Sequence, residues 1–185
     1  MDLSSLSTKD REIYEMITDI AQKVFNVQGS WRAYSNDNLW VIFTDTKEVM
    51  AVDCELRIAF DTVSRSITFV ARLAQPVPKN KINDLYEALN ELNFKLAARM
   101  KMVLGNSTAQ IEFRAEFDLF EDTFGPYYFE RILLRFLLGG SVLLQVVERF
   151  VKGQAEKNEI SKAVGDLDKI RSYRQSAPSD YPYPS

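Results

Sequence analysis

From Gln110 to Leu119 the chain alternates without exception. Ile111, Phe113, Ala115, Phe117 and Leu119 are apolar, and Gln110, Glu112, Arg114, Glu116 and Asp118 between them are polar. Successive side chains of a strand point to opposite faces, so this pattern buries one side of an extended chain, whereas a helix would scatter the same residues around its axis. It predicts a strand with one face on a core and the other in water, the common condition of antiparallel sheets. The run at 50–61 repeats it, with Met50, Val52, Cys54, Leu56, Ile58 and Phe60 on one face and Asp53, Glu55, Arg57 and Asp61 on the other. "SITFVARL" follows after the short link "TVSR", which makes the two runs an antiparallel hairpin.

Between the strands the period lengthens. Ser7 or Thr8 can cap a first helix in which Ile13, Ile17, Ile20 and Val24 share a face. "PVPKN" ends the first group of strands, because proline cannot donate to a ladder. Asn80 is placed to cap a second helix, "KINDLYEALNELNFKLAARM", striped by Ile82, Leu85, Leu89, Leu92 and Leu96. "KMVL" and the opening alternation form two more strands; Gly125 and Pro126 then start a long third helix, followed by a short one in "KNEISKAVGDLDKI". The order α-β-β-β-α-β-β-α predicts an α+β fold, an antiparallel sheet packed by helices. Residues 1–170 read as one domain, and the polar, proline-rich 171–185 as a flexible tail.

Composition narrows the chemistry. The 185 residues contain no histidine and a single cysteine, Cys54. The usual general base, Cys/His zinc sites within one chain and an internal disulfide are therefore all excluded. A net charge of -3 without clustered Lys and Arg argues against a nucleic-acid surface. The opening "MDLSSLSTKDREIYEM" lacks the basic start and apolar run of a signal peptide, so a cytoplasmic location is expected.

Glu112, Glu116 and Asp118, with Glu121 and Asp122 after them, could form a carboxylate site, and Asp53 and Asp61 raise the same possibility. Their alternation with core residues, and Arg114 among them, favour a solvated sheet face. On that reading Glu112→Gln and Glu116→Gln would each change stability by no more than about 0.5 kcal/mol. No catalytic residue, metal site or cofactor is assigned. "ILLRFLLGGSVLLQVV" is shorter than a membrane span and carries Arg135 and Gln145, so it reads as a buried helix without membrane insertion. Gly139-Gly140 lacks the Lys and Ser/Thr of a phosphate loop and reads as close packing or a kink.

Trp31, Tyr34, Trp40, Phe43 and Phe69 are candidates to line a binding groove. In "NLWVIF" both faces are apolar: one meets the core, and the other, with Trp40 and Ile42, needs a helix, a subunit or a ligand to cover it. Trp31, Trp40 and Ile42 are accordingly the candidate protein-binding residues. Tyr86 and Phe94 lie off the buried stripe of the second helix and are candidates for a dimer contact.

"ALNELNFKLAARMKMVLGNSTAQIEFRAEF", "GPYYFERILLRFL" and "KGQAEKNEISKAV" resemble the YbjN family, described as bacterial sensory transduction regulators, over about Val49 to Val164. The sequence departs from that pattern at "AARMKM", where a glycine often leads the short strand. The resemblance implies the fold of type III secretion chaperones, no catalytic motif, and a homodimer built through the second helix or the strands beside it. The expected function is a non-enzymatic regulator or chaperone-like protein that holds a polypeptide partner. A dedicated type III secretion chaperone and a carboxylate- or Mg/Ca-dependent enzyme are the alternatives. The tail has too little aliphatic content to offset its own ordering, which costs about 1 kcal/mol or more per residue. Truncation before Arg171 is thus expected to leave the thermal unfolding midpoint and cooperativity nearly unchanged; a broadened, lowered transition would show that the tail docks.

Overall fold

The computed structural model describes residues 6–25, 38–43, 50–96, 99–105, 109–119, 125–163 and 165, with backbone only for 25 and 38–43. Its elements are α1 (Thr8–Phe25), β1 (Asn38–Phe43), β2 (Cys54–Asp61), β3 (Ser66–Pro76), a 3-10 turn (Lys79–Lys81), α2 (Ile82–Lys95), β4 (Met100–Leu104), β5 (Gln110–Asp118) and α3 (Pro126–Val151). A short helix, α4, covers 157–163. The sheet runs β1-β2-β3-β5-β4 with every neighbouring pair antiparallel. This is an α+β fold in the order the alternating and helical periods predict.

The inner face of the sheet carries the predicted apolar sets. Cys54, Leu56, Ile58 and Phe60 of β2, Ile67, Phe69, Ala71 and Leu73 of β3, and Ile111, Phe113, Ala115 and Phe117 of β5 are buried in one core with the helices. Aromatic rings join α3 to it. Phe136 stacks on Phe69 and Phe113 with ring centres 5.2 and 5.0 Å apart, and Phe129 stacks on Phe69 at 5.9 Å. Phe69 is therefore a core residue, which removes it from the proposed groove. Met50 and Val52 are buried as their pattern expects, yet they precede β2, in a bend where Ala51 adopts a φ of 57°.

Local chemistry fixes how the helices enter and leave. The Ser7 hydroxyl accepts the Asp10 N–H at 3.1 Å and donates to the Asp10 carboxylate at 2.6 Å, capping α1. Asp10 also pairs with Arg65 in the β2–β3 turn at 2.9 Å, tying the helix start to the sheet. α2 begins one residue later than its sequence pattern suggests. Asn80 sits inside the 3-10 turn and Lys81 occupies the cap position without a side-chain cap bond. Lys81 acts elsewhere: its ammonium donates to the Phe150 and Val151 carbonyls at 2.7 and 3.1 Å and lies 5.3 Å from the Phe150 ring centre. It caps carbonyls in the last turn of α3, adding to the Gly153 N–H that Phe150 already accepts, where a positive charge also suits the helix dipole.

α2 also ends early, at Lys95, and Met100 belongs to β4 rather than to the helix. Asn93 supplies a reason for the short helix. Its amide donates to the Met102 carbonyl and accepts the Met102 N–H, both at 2.7 Å, so it occupies the outer edge of β4 as a neighbouring strand would. Leu92 beside it is wholly buried. The Leu-Asn pair thus joins the core to the sheet edge.

The Gly139-Gly140 pair is close packing. A Cβ at Gly139 would stand 3.5 Å from Phe113, an ordinary contact; one at Gly140 would stand 2.8 Å from Met50 Cε and 3.0 Å from Phe113 Cδ1. Gly139→Ala is therefore expected to raise stability by up to about 1 kcal/mol through helix propensity. Gly140→Ala is expected to lower it, because overpacking costs about 1–3 kcal/mol and the Phe113 ring is wedged against Phe136. Opposite shifts in thermal midpoint check the pair, and equal shifts would refute the contact.

Candidate functional site

On the other face of the sheet, register lines the outward positions into rows across the strands. Glu55, Arg72, Glu112 and Val103 form one row. Arg57, Val70, Arg114 and Lys101 form the next, and at β1 it reaches Ile42. Glu116 and Asp118, further along β5, are exposed as a wet face requires.

Glu112 is not solvated. Its residue is 2% exposed. Arg72 donates to Oε1 from Nε at 2.6 Å and Nη2 at 2.5 Å, and Arg114 grips Oε2 from Nε at 2.7 Å and from Nη2. Burial pushes this carboxyl's pKa up, and the hydrogen bonds and charges of Arg114 and Arg72 outweigh it, leaving it below the ordinary glutamate value. A carboxylate so held is a poor general acid, and both its oxygens are already engaged. Glu55 similarly takes Arg57 Nε at 2.5 Å. The expectation of a simply hydrated Glu112 therefore fails: a side chain flanked by two arginines on a central part of the sheet is covered by its own partners.

Asp61 is committed to its turn. It accepts the Val63 and Ser64 N–H groups at 2.8 and 3.0 Å, and the Ser64 N–H is the main cause of its lowered pKa. Asp53 is exposed; Glu121 and Asp122 lie outside the described residues. Among the described residues no cluster of three or more Cys, Asp and Glu is placed to hold a metal ion, and no helix is long and apolar enough to cross a membrane.

The second surface is on α2. Leu85, Ala88, Leu89 and Leu92 face the core, while Tyr86 and Phe94 face outward at 42% and 92% exposure. With Asn90 between them at helical spacing they form one stripe. α4 is fastened along α2 by the Lys157–Glu87 ion pair and by the Ser161 hydroxyl, which donates to Glu91 at 2.7 Å.

The candidate residues thus fall on two surfaces. Tyr86 and Phe94 share the α2 stripe. Trp40 and Ile42 are backbone positions of β1 in register with Ala59 and Arg57, while Leu39, Val41 and Phe43 are in register with the core residues Phe60, Ile58 and Leu56. Trp31 and Tyr34 lie outside the described residues. The arginine–glutamate cluster was not foreseen. Its signals were the Glu112-x-Arg114 spacing, which puts both on one face of a strand, and Arg72 as the polar member of "VARL" in the hairpin partner. No protein-family model matches this sequence, and no curated protein matches it.

Glu112→Gln is expected to cost about 1–3 kcal/mol, as charged hydrogen bonds are lost from a buried acceptor, while Glu116→Gln stays within about 0.5 kcal/mol. Because the native pKa lies below the unfolded one, near 4.3, the contribution of Glu112 is complete above that value and is lost as pH falls through the native pKa. Urea unfolding at pH 7 and pH 3 checks this: the gap between wild type and Glu112→Gln should narrow in acid, and a gap that widened would contradict the assignment.

Proposed function

We propose that this chain is a non-enzymatic, chaperone-like regulator of the cytoplasm that holds a polypeptide partner on its sheet and helix surfaces, and that it works as a homodimer. The observation that carries the reading is Phe94, 92% exposed on a helix whose opposite face is anchored in the core. A phenyl ring held in water on a rigid element gains by meeting another apolar surface, and it loses little conformational freedom in doing so. Tyr86 extends the stripe. The resemblance of "ALNELNFKLAARM" and "IEFRAEF" to the YbjN family supports the same reading. The order of elements also suits the alternative of a dedicated type III secretion chaperone, for which stable copurification with one effector would be the mark.

In the dimer, Tyr86 and Phe94 of the two copies meet across a two-fold axis, each α2 covering the other. Light scattering over a dilution series is expected to give twice the 21.3 kDa of one chain, falling on dilution. Phe94→Glu, which introduces a charge at an exposed position and leaves the core intact, should shift the protein to monomer while changing the stability of the chain by no more than about 0.5 kcal/mol. A monomer at every concentration would overturn the dimer; a dimer indifferent to Phe94→Glu would move the contact away from α2.

A further inference from the structure

We propose that α4 is a latch on the flank of α2, held by charge, that opens as a unit while the rest of the domain stays folded, so that the apolar area beside the Tyr86–Phe94 stripe is adjustable rather than fixed. The two ties between the helices define the geometry. Lys157 pairs with Glu87 and the Ser161 hydroxyl donates to Glu91 at 2.7 Å, each pair 70 residues apart in the chain. One tie per turn at a constant offset means that α4 runs parallel to α2. Glu87 and Glu91 each follow a stripe position, Tyr86 and Asn90, by one residue, which places α4 on the flank next to the stripe.

The chain leading to α4 is fixed and α4 is not. At the end of α3 the Gly153 N–H bonds to the Phe150 carbonyl at 3.0 Å and the Gln154 N–H to the Arg149 carbonyl at 2.8 Å, with Gly153 at a φ of 75° and Lys81 on the last carbonyls. These bonds end at Gln154, so the hinge lies at Ala155 and Glu156. Beyond it the helix at 157–163 is too short to hold itself, and side-by-side parallel dipoles do not help it. Its polar ties join exposed groups: Lys157 and Glu87 are 46% and 69% exposed, Arg149 reaches Glu159 only at 3.4 Å, and Glu91 is shared with Lys95. Exposed pairs of this kind hold weakly and are screened by salt. Two side chains, Ile160 and Ala163, anchor α4 in the core that contains Ala88 and Leu92 of α2 and Val147 and Val151 of α3. Withdrawing two small anchors costs far less than separating the strands around Phe69 and Phe113, so α4 opens first.

Hydrogen exchange of the full chain, followed by mass spectrometry, tests this. The amides of α4 should exchange at least about tenfold more slowly than an unfolded chain, which shows a closed state, and at least about a hundredfold faster than those of β3 and β5, which shows a separate opening. Glu87→Ala combined with Glu91→Ala removes both ties from the α2 side, leaves the sequence of α4 unchanged and suits a helix interior. It should speed exchange in α4 about fivefold or more and leave β3 and β5 as they were. Raising sodium chloride from 50 to 500 mM should speed wild-type α4 in the same direction. An α4 that exchanges as an unfolded chain, one that exchanges together with β3 and β5, or one indifferent to both the double variant and salt would each overturn the latch.

Discussion

Phe136 lies between Phe69 of β3 and Phe113 of β5, and the rest of the molecule is arranged around that contact. It can form only because Gly140 presents no Cβ where the Phe113 ring and Met50 come close. With the helix lowered onto the two central strands, the rings bury large apolar areas at once and fix the axis of α3 over the sheet. The C-terminal end of the same helix is then where Lys81 finds its carbonyls, which sets the start of α2. α2 in turn brings Asn93 to the edge of β4. Core packing and polar anchoring are therefore consecutive links: the stacked rings locate a helix end, the helix end locates a lysine, and the lysine locates the next helix.

The two faces of the sheet solve different problems with the same strands. Inside, alternation places Phe, Ile and Leu against helices, and stability comes from area removed from water. Outside, Arg72 and Arg114 close on the carboxylate of the buried Glu112, so that both its oxygens are paired. α2 presents the opposite character, with an aromatic stripe on a helix otherwise rich in Asn, Asp and Glu. The sheet face closes its charges on one another, whereas the α2 stripe leaves aromatic area exposed.

What the sequence made legible was whatever repeats. Ile111 to Phe117, Cys54 to Phe60 and Leu85 to Leu92 declare their elements through period alone, and each is buried as expected. Boundaries that depend on one distant partner were not legible. Asn80 looks like a cap and is not one, because the chain first completes a 3-10 turn and Lys81 reaches across to α3. Lys95 ends α2 although helix-forming residues continue beyond it, since the chain must turn to become an edge strand that Asn93 can reach. Glu112 misleads in the same way: a charged residue on the outer side of a strand reads as wet, and only the register with Arg72, forty positions earlier, shows why it is covered. Tyr86 and Phe94 were readable as exposed because the buried stripe of α2 is narrow.

The amide of Asn93 also sets a chemical lifetime on the sheet edge. It serves Met102 as donor and acceptor at once, a task that needs one nitrogen and one oxygen. Spontaneous deamidation would turn that nitrogen into a second oxygen. Two acceptors would then face a backbone that offers one N–H and one carbonyl, and the carbonyl side would become repulsive. The bulky Phe94 that follows slows the cyclisation through which asparagines deamidate, so the residue most available for contact with other molecules also shields its neighbour from ageing. Should the change occur, the outer groups of β4 would be offered to any passing strand, and the damage would appear as self-association of old molecules with little loss of helical or sheet content.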